Sequence, residues 1–288
     1  MTKEELFEII EAKGQLPTLP SVITSVLELI RNPKTSASDI GNAISSDIAL
    51  SSKILKIVNS AFYGFPKKIG TVSQAVVILG FNTIKSAILG VSIIEAFEEM
   101  YKGEEMYFDR KEFWKHAIGT ASTSRVIART IGYPESEEAF VAGILHDVGK
   151  LILDQFLNKQ FREVVRRAHA EKVSMEKIEK EIIGFSHYTI GSYIIDRWNF
   201  PEHLSKTVLF INNPMLSGDD EITVRLVSIV HIGNIISRAL NIGHSGDAIM
   251  PRLNRKSWDL LGLKTNQLEE IMENTLKEFK NASDFLNR

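Results

Sequence analysis

The chain has 288 residues, 44% of them hydrophobic and 24% charged, as in an ordinary globular protein that can bury a substantial core. A formal net charge of −2 and a pI of about 6.4 exclude a general electrostatic attraction to nucleic acid or to an anionic membrane. The lack of cysteine excludes disulfides, thiolate metal sites and cysteine nucleophiles.

Apolar residues recur at helical spacing along nearly the whole chain. Residues 1–13 are predicted to form a short amphipathic helix, whose charges are unlike a secretion signal and favour a cytoplasmic protein. Pro20 suits the first turn of a second helix, which runs to about Ile30. The next three periodic segments are each preceded by a polar residue that can cap a helix: Ser36, Asp47 and Thr71. A longer apolar helix is predicted over 82–97.

A polar stretch at 98–110 separates these helices from a second group. In the second group, apolar periodicity predicts helices over 111–131, 135–145, 148–157, 159–171, from Ser174 onward, 187–198, 201–210, 221–240 and 265–284. Residues 241–256 contain two glycines and a proline and are predicted to be irregular. No segment alternates as a β-strand would, so the predicted fold is all-α, with two packed helical subdomains.

Residues 37–58 resemble a helix-turn-helix of the DNA-binding kind. The second helix of this pair offers only two cations, Lys53 and Lys56, and its many apolar residues need burial. We therefore expect a packed pair of helices at this position and regard DNA as a disfavoured partner.

An adjacent pair, His146 and Asp147, carries the clearest chemistry of the chain. A neutral imidazole nitrogen and a carboxylate oxygen suit Mn²⁺, Fe²⁺, Zn²⁺ or Mg²⁺. A hydrolase would use such an ion to polarise a phosphoryl group and activate water. Adjacent helical residues point about 100° apart, so the pair converges on one ion only at the end of a helix or with ligands from other helices.

The pair and its surroundings resemble the HD phosphohydrolase superfamily. In that resemblance His116, on an earlier helix, takes the place of the first metal ligand, and Lys150 that of a lysine which holds phosphate. Asn234 stands where the superfamily usually has its last ligand, an aspartate. The implied metal set is His116, His146, Asp147 and Asn234, with one formal negative charge rather than two. We therefore expect either weak binding of one divalent metal (Mn, Fe, Zn, Ni or Mg) or no cofactor.

Other positions also depart from the superfamily. Its cyclic-dinucleotide phosphodiesterases carry two adjacent histidines where this chain has Ile211 and Asn212, so a two-metal centre of that kind cannot be built here. His187 and His231 are candidates for lining the cavity of the His–Asp pair. His187 could equally cap its own helix.

A longer resemblance, over about residues 14–212, is to the HDOD domain, an output domain related to the HD superfamily. The motifs that carry it are Leu16-Pro17-Thr-Leu19-Pro20, Ser45-Ser-Asp47-Ile-Ala-Leu50, Leu55-Lys-Ile-Val-Asn59-Ser60-Ala-Phe-Tyr63-Gly64, His146-Asp147-x-Gly149-Lys150 and Gly184-Phe-Ser-His187 followed by Trp198-x-x-Pro201. The family usually has proline after the aspartate of the second motif, whereas this chain has Ile48.

The HDOD resemblance implies two packed helical lobes. The implied organisation is an N-terminal helix at 1–13, an N-terminal lobe at 14–100, an HD-like lobe at 108–212, and a C-terminal helical extension at 213–288 that completes the HD-like lobe. The signature residues that we interpret as structural are Pro17, Pro20, Asp47, Asn59, Ser60 and Tyr63, because prolines fix an extended entry and polar groups at helix ends satisfy free backbone groups.

The resemblance also implies a role in bacterial signalling or gene regulation, where the catalytic residues are often degraded. We expect a stand-alone regulatory protein that acts through signalling proteins or a nucleotide-type small ligand, without a membrane segment. The alternative is a metal-dependent phosphohydrolase or phosphodiesterase acting on a nucleotide or another phosphoester. In that case His146, Asp147 and Lys150 would be its catalytic residues.

Overall fold

The computed structural model describes residues 3–13, 16–19, 23–24, 28–29, 35–45, 47–59, 68–100 and 109–283. Its helices are α1 (Lys3–Lys13), α2 (Ala37–Ser45), α3 (Ile48–Val58), α4 (Val72–Leu79), α5 (Phe81–Met100), α6 (Arg110–Thr130), α7 (Ser136–Leu145), α8 (Gly149–Phe156), α9 (Asn158–Glu171), α10 (Met175–Ile182), α11 (His187–Arg197), α12 (Glu202–Phe210), α13 (Glu221–Ala239), α14 (Arg255–Leu260) and α15 (Leu268–Ser283). No β-strand occurs among the described residues, and the predicted all-α fold is confirmed.

The predicted capping residues begin the helices of the first lobe. Asp47 and Thr71 each accept a hydrogen bond from the backbone N–H three residues later, at 2.9 and 3.1 Å. Ser36 Oγ accepts from Asp39 N at 3.2 Å, and the Asp39 carboxylate accepts from Ser36 N at 2.8 Å, which makes a reciprocal capping box. These bonds satisfy backbone donors that a helix leaves free in its first turn.

Part of the first lobe lies outside the described residues. Of the predicted second helix, residues 23–24 and 28–29 are helical, and the remainder lies outside. Three of the signature residues lie outside as well: Pro20, Ser60 and Tyr63. Asn59 is described, and its role is structural. Its Nδ2 donates to Leu55 O at 2.7 Å and to Ile69 O at 2.8 Å, while its Oδ1 accepts from Ile69 N at 2.7 Å.

Helix α6 forms the centre of the second lobe and is buried along most of its length. Small residues let its neighbours approach closely. A Cβ atom added to Gly143 of α7 would lie 2.4 Å from Ala121 Cα, and one added to Gly233 of α13 would lie 2.5 Å from Ser124 Oγ. Because α6 carries His116, this close packing fixes where that histidine lies.

The two lobes meet at α11. The Nε1 of Trp198, at the end of α11, donates a 2.8 Å hydrogen bond to Pro17 O of the first lobe. On the same helix, the Tyr193 ring stacks on Phe7 of α1, with a centroid separation of 3.4 Å and an interplanar angle of 16°. Pro17 therefore contacts a helix of the second lobe, as expected if the chain entry formed by the prolines packs across other helices.

Residues 242–254, called the strap from here on, cross the second lobe without regular structure. The predicted irregular segment ended at 256, whereas α14 begins at Arg255, because Asn254 caps it by accepting a hydrogen bond from Ser257 N. Gly243 has a φ of +62° and lies directly on α6, where a Cβ would be 2.3 Å from both Glu112 O and His116 N. The start of the strap is therefore held against the helix that carries His116.

Among the described residues, one helix has the length and composition to cross a membrane. Helix α13 has 19 residues, and its most apolar window has a mean hydropathy of 1.2. Of that window, 67% is buried within the fold, as is common for core helices of globular proteins.

Candidate functional site

His146 and Asp147 lie in the turn between α7 and α8. The pair therefore lies at the end of a helix, one of the places where adjacent side chains can converge on one ion. His146 Nε2 lies 3.4 Å from Asp147 Oδ2. Both residues are almost fully buried. The local chain path therefore aims both side chains into the same interior space.

Two imidazole rings meet at this turn. His146 Nδ1 lies 2.7 Å from Gly143 O, which fixes the proton on Nδ1 and leaves the lone pair on Nε2. His116 Nε2 lies 3.2 Å from His146 Nε2. Burial, with the neighbouring His146, lowers the pKa of His116 to about 3, so this ring is neutral at physiological pH. Two nitrogens at this spacing either share a proton or bind one cation.

His116, His146 and Asp147 fit a single divalent cation, since their donor atoms lie within 4.8 Å of one another. Neighbouring ligands of an ion bound at about 2.1 Å are separated by roughly 3 Å, close to the 3.2 and 3.4 Å spacings. Asn234 Oδ1 is buried and has no hydrogen-bond partner among the described residues, so it could serve as a further oxygen ligand.

The ammonium group of Lys150 opposes such an ion. Its Nζ lies 2.6 Å from Asp147 Oδ2 and 2.5 Å from Asp247 Oδ2, and donates to Ser245 Oγ at 3.3 Å. Burial alone would lower the pKa of Lys150, but Asp147 and Asp247 raise it, so the side chain is charged although it is fully buried. The Lys150 ammonium therefore contacts Asp147 Oδ2, the same oxygen that would bind a metal.

His187 approaches Asp147 from the first turn of α11. Its Nε2 lies 3.4 Å from Asp147 Oδ1, and its Nδ1 lies 2.7 Å from both carboxylate oxygens of Glu179. Ser186, rather than His187, caps the helix. Burial alone would lower the pKa of His187, but the Glu179 carboxylate, with help from Asp147, raises it to about 9. His187 is therefore an imidazolium at neutral pH.

The charges of the cluster balance without an added ion. Burial by itself would raise the pKa of Asp147, but Lys150 and His146 hold it well below its usual range, so the group is ionised. The three carboxylates are Asp147, Glu179 and Asp247, and the three cations that contact them are Lys150, His187 and Arg238. Such pairing is what allows charges to remain in a buried site.

A pocket of about 290 Å³ opens beside this cluster. Helices α10, α11 and α13 form one side, and the strap forms the other through residues 249–252. The pocket-lining residues with polar side chains include Tyr188, Asn212, Asn213, Asn234, Arg238 and Asp247. Among the described residues, the pocket lining includes none of the three candidate metal ligands. A ligand in the pocket therefore meets Asp247 and Asn234 before it meets the His–Asp pair.

The structure brings most of the predicted site residues together. Those that converge in the cluster are His116, His146, Asp147, Lys150 and His187. Asn234 lines the adjoining pocket. His231 Nε2 accepts a 3.0 Å hydrogen bond from Asn254 N, and neither His231 nor His187 is among the residues that line the pocket. His231 thereby anchors the end of the strap to α13, and its role in lining the cavity stays a prediction.

The two positions that depart from the phosphodiesterases also have local roles. Ile211 is buried in the core. Asn212 Nδ2 donates to Glu176 Oε2 and to Tyr188 Oη, both at 3.0 Å. Asn212 follows α12, so these bonds connect the end of that helix to α10 and α11 in the pocket wall.

Sequence reasoning missed Glu179, Arg238 and Asp247. Glu179 had a detectable signal, because it follows Met175 by four residues on the apolar face of α10, where a carboxylate needs a partner. Asp247 had no comparable signal, since it lies in an irregular segment 97 residues from Lys150.

A family model of the HDOD domain matches residues 16–214. The chain belongs to the HDOD family. An HDOD domain protein of unknown function from Geobacter sulfurreducens has a similar structure, with a TM-score of 0.81 at 22% identity over 97% of this chain and 96% of that one. A protein from Shewanella amazonensis, named provisionally as a phosphohydrolase, has a TM-score of 0.75 at 24% identity, with 98% and 97% coverage. At these identities the likeness concerns the fold.

Curated relatives are longer than this HDOD chain. An uncharacterized protein from Treponema pallidum is 25% identical over 230 residues, which cover 78% of this chain and 43% of that protein. The Bacillus subtilis protein YuxH, also uncharacterized, is 27% identical over 43% of this chain and 27% of its own length. The chain thus spans less than half the length of these two relatives.

Replacing Glu179 with glutamine is expected to lower the pKa of His187 from about 9 toward its ordinary value, because the buried carboxylate is the main group that holds the proton on the ring. A pKa raised on folding contributes stability below about pH 6.5, and this contribution is lost as the pH rises through about 9. The wild-type protein should therefore lose more stability than Glu179→Gln between pH 7 and 10. Histidine ring NMR and urea unfolding at each pH measure both effects, and equal titration of His187 in the two proteins would contradict the assignment.

Proposed function

We propose that this HDOD protein is a cytoplasmic regulatory module that binds a small ligand in the pocket beside the His–Asp cluster and does not hydrolyse it. The observation that carries the proposal is the position of Lys150. Its ammonium group lies between Asp147 and Asp247 and neutralises the carboxylate that a catalytic metal would need. Asn234 adds no charge at the position where the resemblance implies a second carboxylate, which further weakens the case for a catalytic metal.

The chemistry of the pocket wall supports a nucleotide-type ligand. Side-chain amides such as those of Asn212 and Asn234 can pair with the edges of a base. Arg238 and Arg252 can bind phosphate oxygens, and Tyr188 supplies an aromatic ring. In this proposal the strap passes ligand occupancy on to a partner signalling protein, because it forms one wall of the pocket.

A metal-dependent phosphohydrolase is the second candidate function. It is favoured by the convergence of His116, His146 and Asp147, which would hold the ion. A divalent ion bound there would supply Lewis acidity and a more acidic water. His146 would be oriented toward it by Gly143 O, as metal-binding imidazoles usually are by an outer partner.

Metal analysis separates the two functions. We expect protein purified without chelator or affinity tag to contain well below one Mn, Fe, Zn or Ni per chain, and to show no hydrolysis of nitrophenyl phosphate esters with added Mn²⁺. The isosteric variant Asp147→Asn should behave in the same way. One metal ion per chain in the wild-type protein, lost in the variant together with hydrolytic activity, would instead establish the phosphohydrolase.

Ligand binding tests the pocket directly. Calorimetric titration with a panel of nucleoside mono-, di- and triphosphates should find a ligand whose binding is lost in Arg238→Met and Asn234→Leu. Arg255→Met, which removes an exposed cation from α14 outside the pocket, should bind as the wild-type protein does. A nucleotide that binds equally well to all three variants would place its site elsewhere.

A further inference from the structure

Asp147 Oδ2 belongs both to the candidate divalent-cation site and to the ion pair with Lys150. It lies 3.4 Å from His146 Nε2, within the group of donors that fits a divalent cation. It also lies 2.6 Å from Lys150 Nζ, and the Nζ lies 2.5 Å from Asp247 Oδ2. The ammonium and a metal ion would therefore compete for the same oxygen.

We propose that Lys150 and Asp247 form a cation lock, in which the Lys150 ammonium takes the place of a divalent cation and Asp247 is the second carboxylate of that cation site. This inference rests on the proposed function, since it gives a physical reason for a metal-free cluster. It adds that the site is blocked by its own lysine, and that Asp247 would complete the ligand set of His116, His146 and Asp147 if the lysine were removed.

Asp247 supplies the charge that Asn234 lacks. Two carboxylates that share one ammonium at hydrogen-bond distance need to move little to share a divalent ion, which binds carboxylate oxygens at about 2.0–2.2 Å. The donors that already lie within 4.8 Å of one another are those of His116, His146 and Asp147, and Asp247 would complete a set of two imidazoles and two carboxylates, which suits Mn²⁺ or Zn²⁺. With Asp147 alone, the same set would carry a single negative charge.

The strap holds Asp247 in place. Ser245 Oγ donates to Asp247 Oδ2 at 3.1 Å, and Arg238 Nη2 donates to Asp247 O at 3.2 Å. Gly243 lies on the α6 backbone at His116, so the strap is tied to the helix that supplies one of the imidazoles. Asp247 is thus positioned by the fold beside Lys150, and it remains accessible because it lines the pocket.

The pocket gives a cation a route to this site. Asp247 and Asn234 both face it, and Asn234 Oδ1 is buried without a hydrogen-bond partner among the described residues. An ion that enters from the pocket would meet these two oxygens first and could then displace the Lys150 ammonium from Asp147. In the wild-type protein this exchange is opposed because two cations cannot share one buried carboxylate pair without repulsion.

Titration with Mn²⁺, followed by the electron paramagnetic resonance signal of the free ion, tests the lock. Lys150→Met removes the internal cation and should bind Mn²⁺ more than about tenfold more tightly than the wild-type protein, given the strength of charge interactions in a buried site. The double variant Lys150→Met/Asp247→Asn should lose this gain. Lys180→Met is the matched control, because Lys180 pairs at 2.6 Å with Glu176 in the pocket wall and is not in the cluster. Its affinity for Mn²⁺ should equal that of the wild-type protein.

Thermal unfolding with and without Mn²⁺ distinguishes a loss of metal binding from a failure of the variant to fold. Lys150→Met removes the cation that Asp147 and Asp247 share and leaves each with only its longer ion pair, to His187 at 3.4 Å and to Arg238 at 3.7 Å. The variant should therefore be destabilised, and Mn²⁺ should restore its melting temperature while leaving that of the double variant unchanged. Lys150→Met that binds Mn²⁺ no better than the wild-type protein, or that stays unfolded in its presence, would overturn the lock. A gain that persists without Asp247 would overturn the role of that residue. A wild-type protein that carries metal and hydrolyses esters would contradict the proposed function together with the lock. Failure of Lys150→Met to gain Mn²⁺ affinity would overturn the lock alone, so the two failures are distinguishable.

Discussion

Alanine at Gly149 is expected to destabilise the protein by at least about 3 kcal/mol, at the upper end of what overpacking costs. A Cβ at this position would lie 1.9 Å from His187 O and 2.8 Å from Gly191 N. Both obstacles are backbone atoms of α11, so no side-chain rotation can relieve the overlap. Helices α8 and α11 would have to separate, and with them Lys150 and His187, which both contact Asp147.

Urea unfolding monitored by circular dichroism measures this effect, and Gly70→Ala is its control. A Cβ at Gly70 would find its nearest neighbour, Gln74 Oε1, at 3.9 Å. That variant should stay within about 1 kcal/mol of the wild-type protein, because glycine-to-alanine changes at unstrained sites are nearly neutral or stabilising. Equal unfolding midpoints for the two variants would show that the α8–α11 contact is looser than described. The glycine of the His-Asp-x-Gly-Lys motif is therefore explained by helix packing.

Alanine at Arg125 is expected to cost about 3 kcal/mol, the lower end of the cost of removing one partner of a buried ion pair, because Arg129 still pairs with both glutamates. The Arg125 side chain is 3% exposed and lies over the Phe140 ring, 4.6 Å from its centroid. It contacts Glu137 of α7 at 3.4 Å and Glu278 of α15 at 2.8 Å. Its loss would remove a buried cation from a core contact and loosen the C-terminal helix.

Arg129 provides a matched comparison for Arg125. It contacts the same two glutamates, at 2.9 and 2.8 Å, but its side chain is 53% exposed. Because water screens exposed ion pairs, Arg129→Ala should cost no more than about 1 kcal/mol. Urea unfolding of both variants at low and high salt measures the difference. Similar losses from both substitutions would mean that burial does not set the strength of this network.

These two contacts bear on the function because they hold the helices that form the cluster. The turn that carries His146 and Asp147 is fixed by α7 and α8, and α7 is tied to the C-terminal helix through Arg125. In the proposed regulatory role, such a rigid base would let a change at the strap shift neighbouring helices together.

Much of the helical architecture could be predicted because its causes are local. The caps at Asp47 and Ser174 and the apolar periods that follow them depend on residues only three or four positions apart. The second helical group begins at Arg110, one residue from its predicted start, since Asp109 caps it. The long helix α5 continues to Met100, beyond the predicted end near Phe97, because polar residues can extend a helix that is anchored by its buried part.

The cluster depended on contacts that no local pattern records. His116 and His146 were predicted as members of one site from their resemblance to a superfamily, but their 3.2 Å approach follows from the packing of α6 against α7. The contact of Lys150 with Asp247 spans 97 residues and depends on where the strap crosses α6. Periodicity and caps report on a helix and its neighbours in sequence, so they cannot give the position of an irregular segment across another helix.

By itself, the sequence determined the all-α class, most of the helices, the HDOD resemblance and the residue types at the His–Asp pair. Each of these depends on residues that are close together in the chain. Only the tertiary structure decided that Lys150 is held between Asp147 and Asp247, that Glu179 keeps a proton on His187, and that His231 anchors the strap. The physical reason is that the charge state of a buried group depends on every charge packed around it, and those charges come from helices and loops far apart in the sequence.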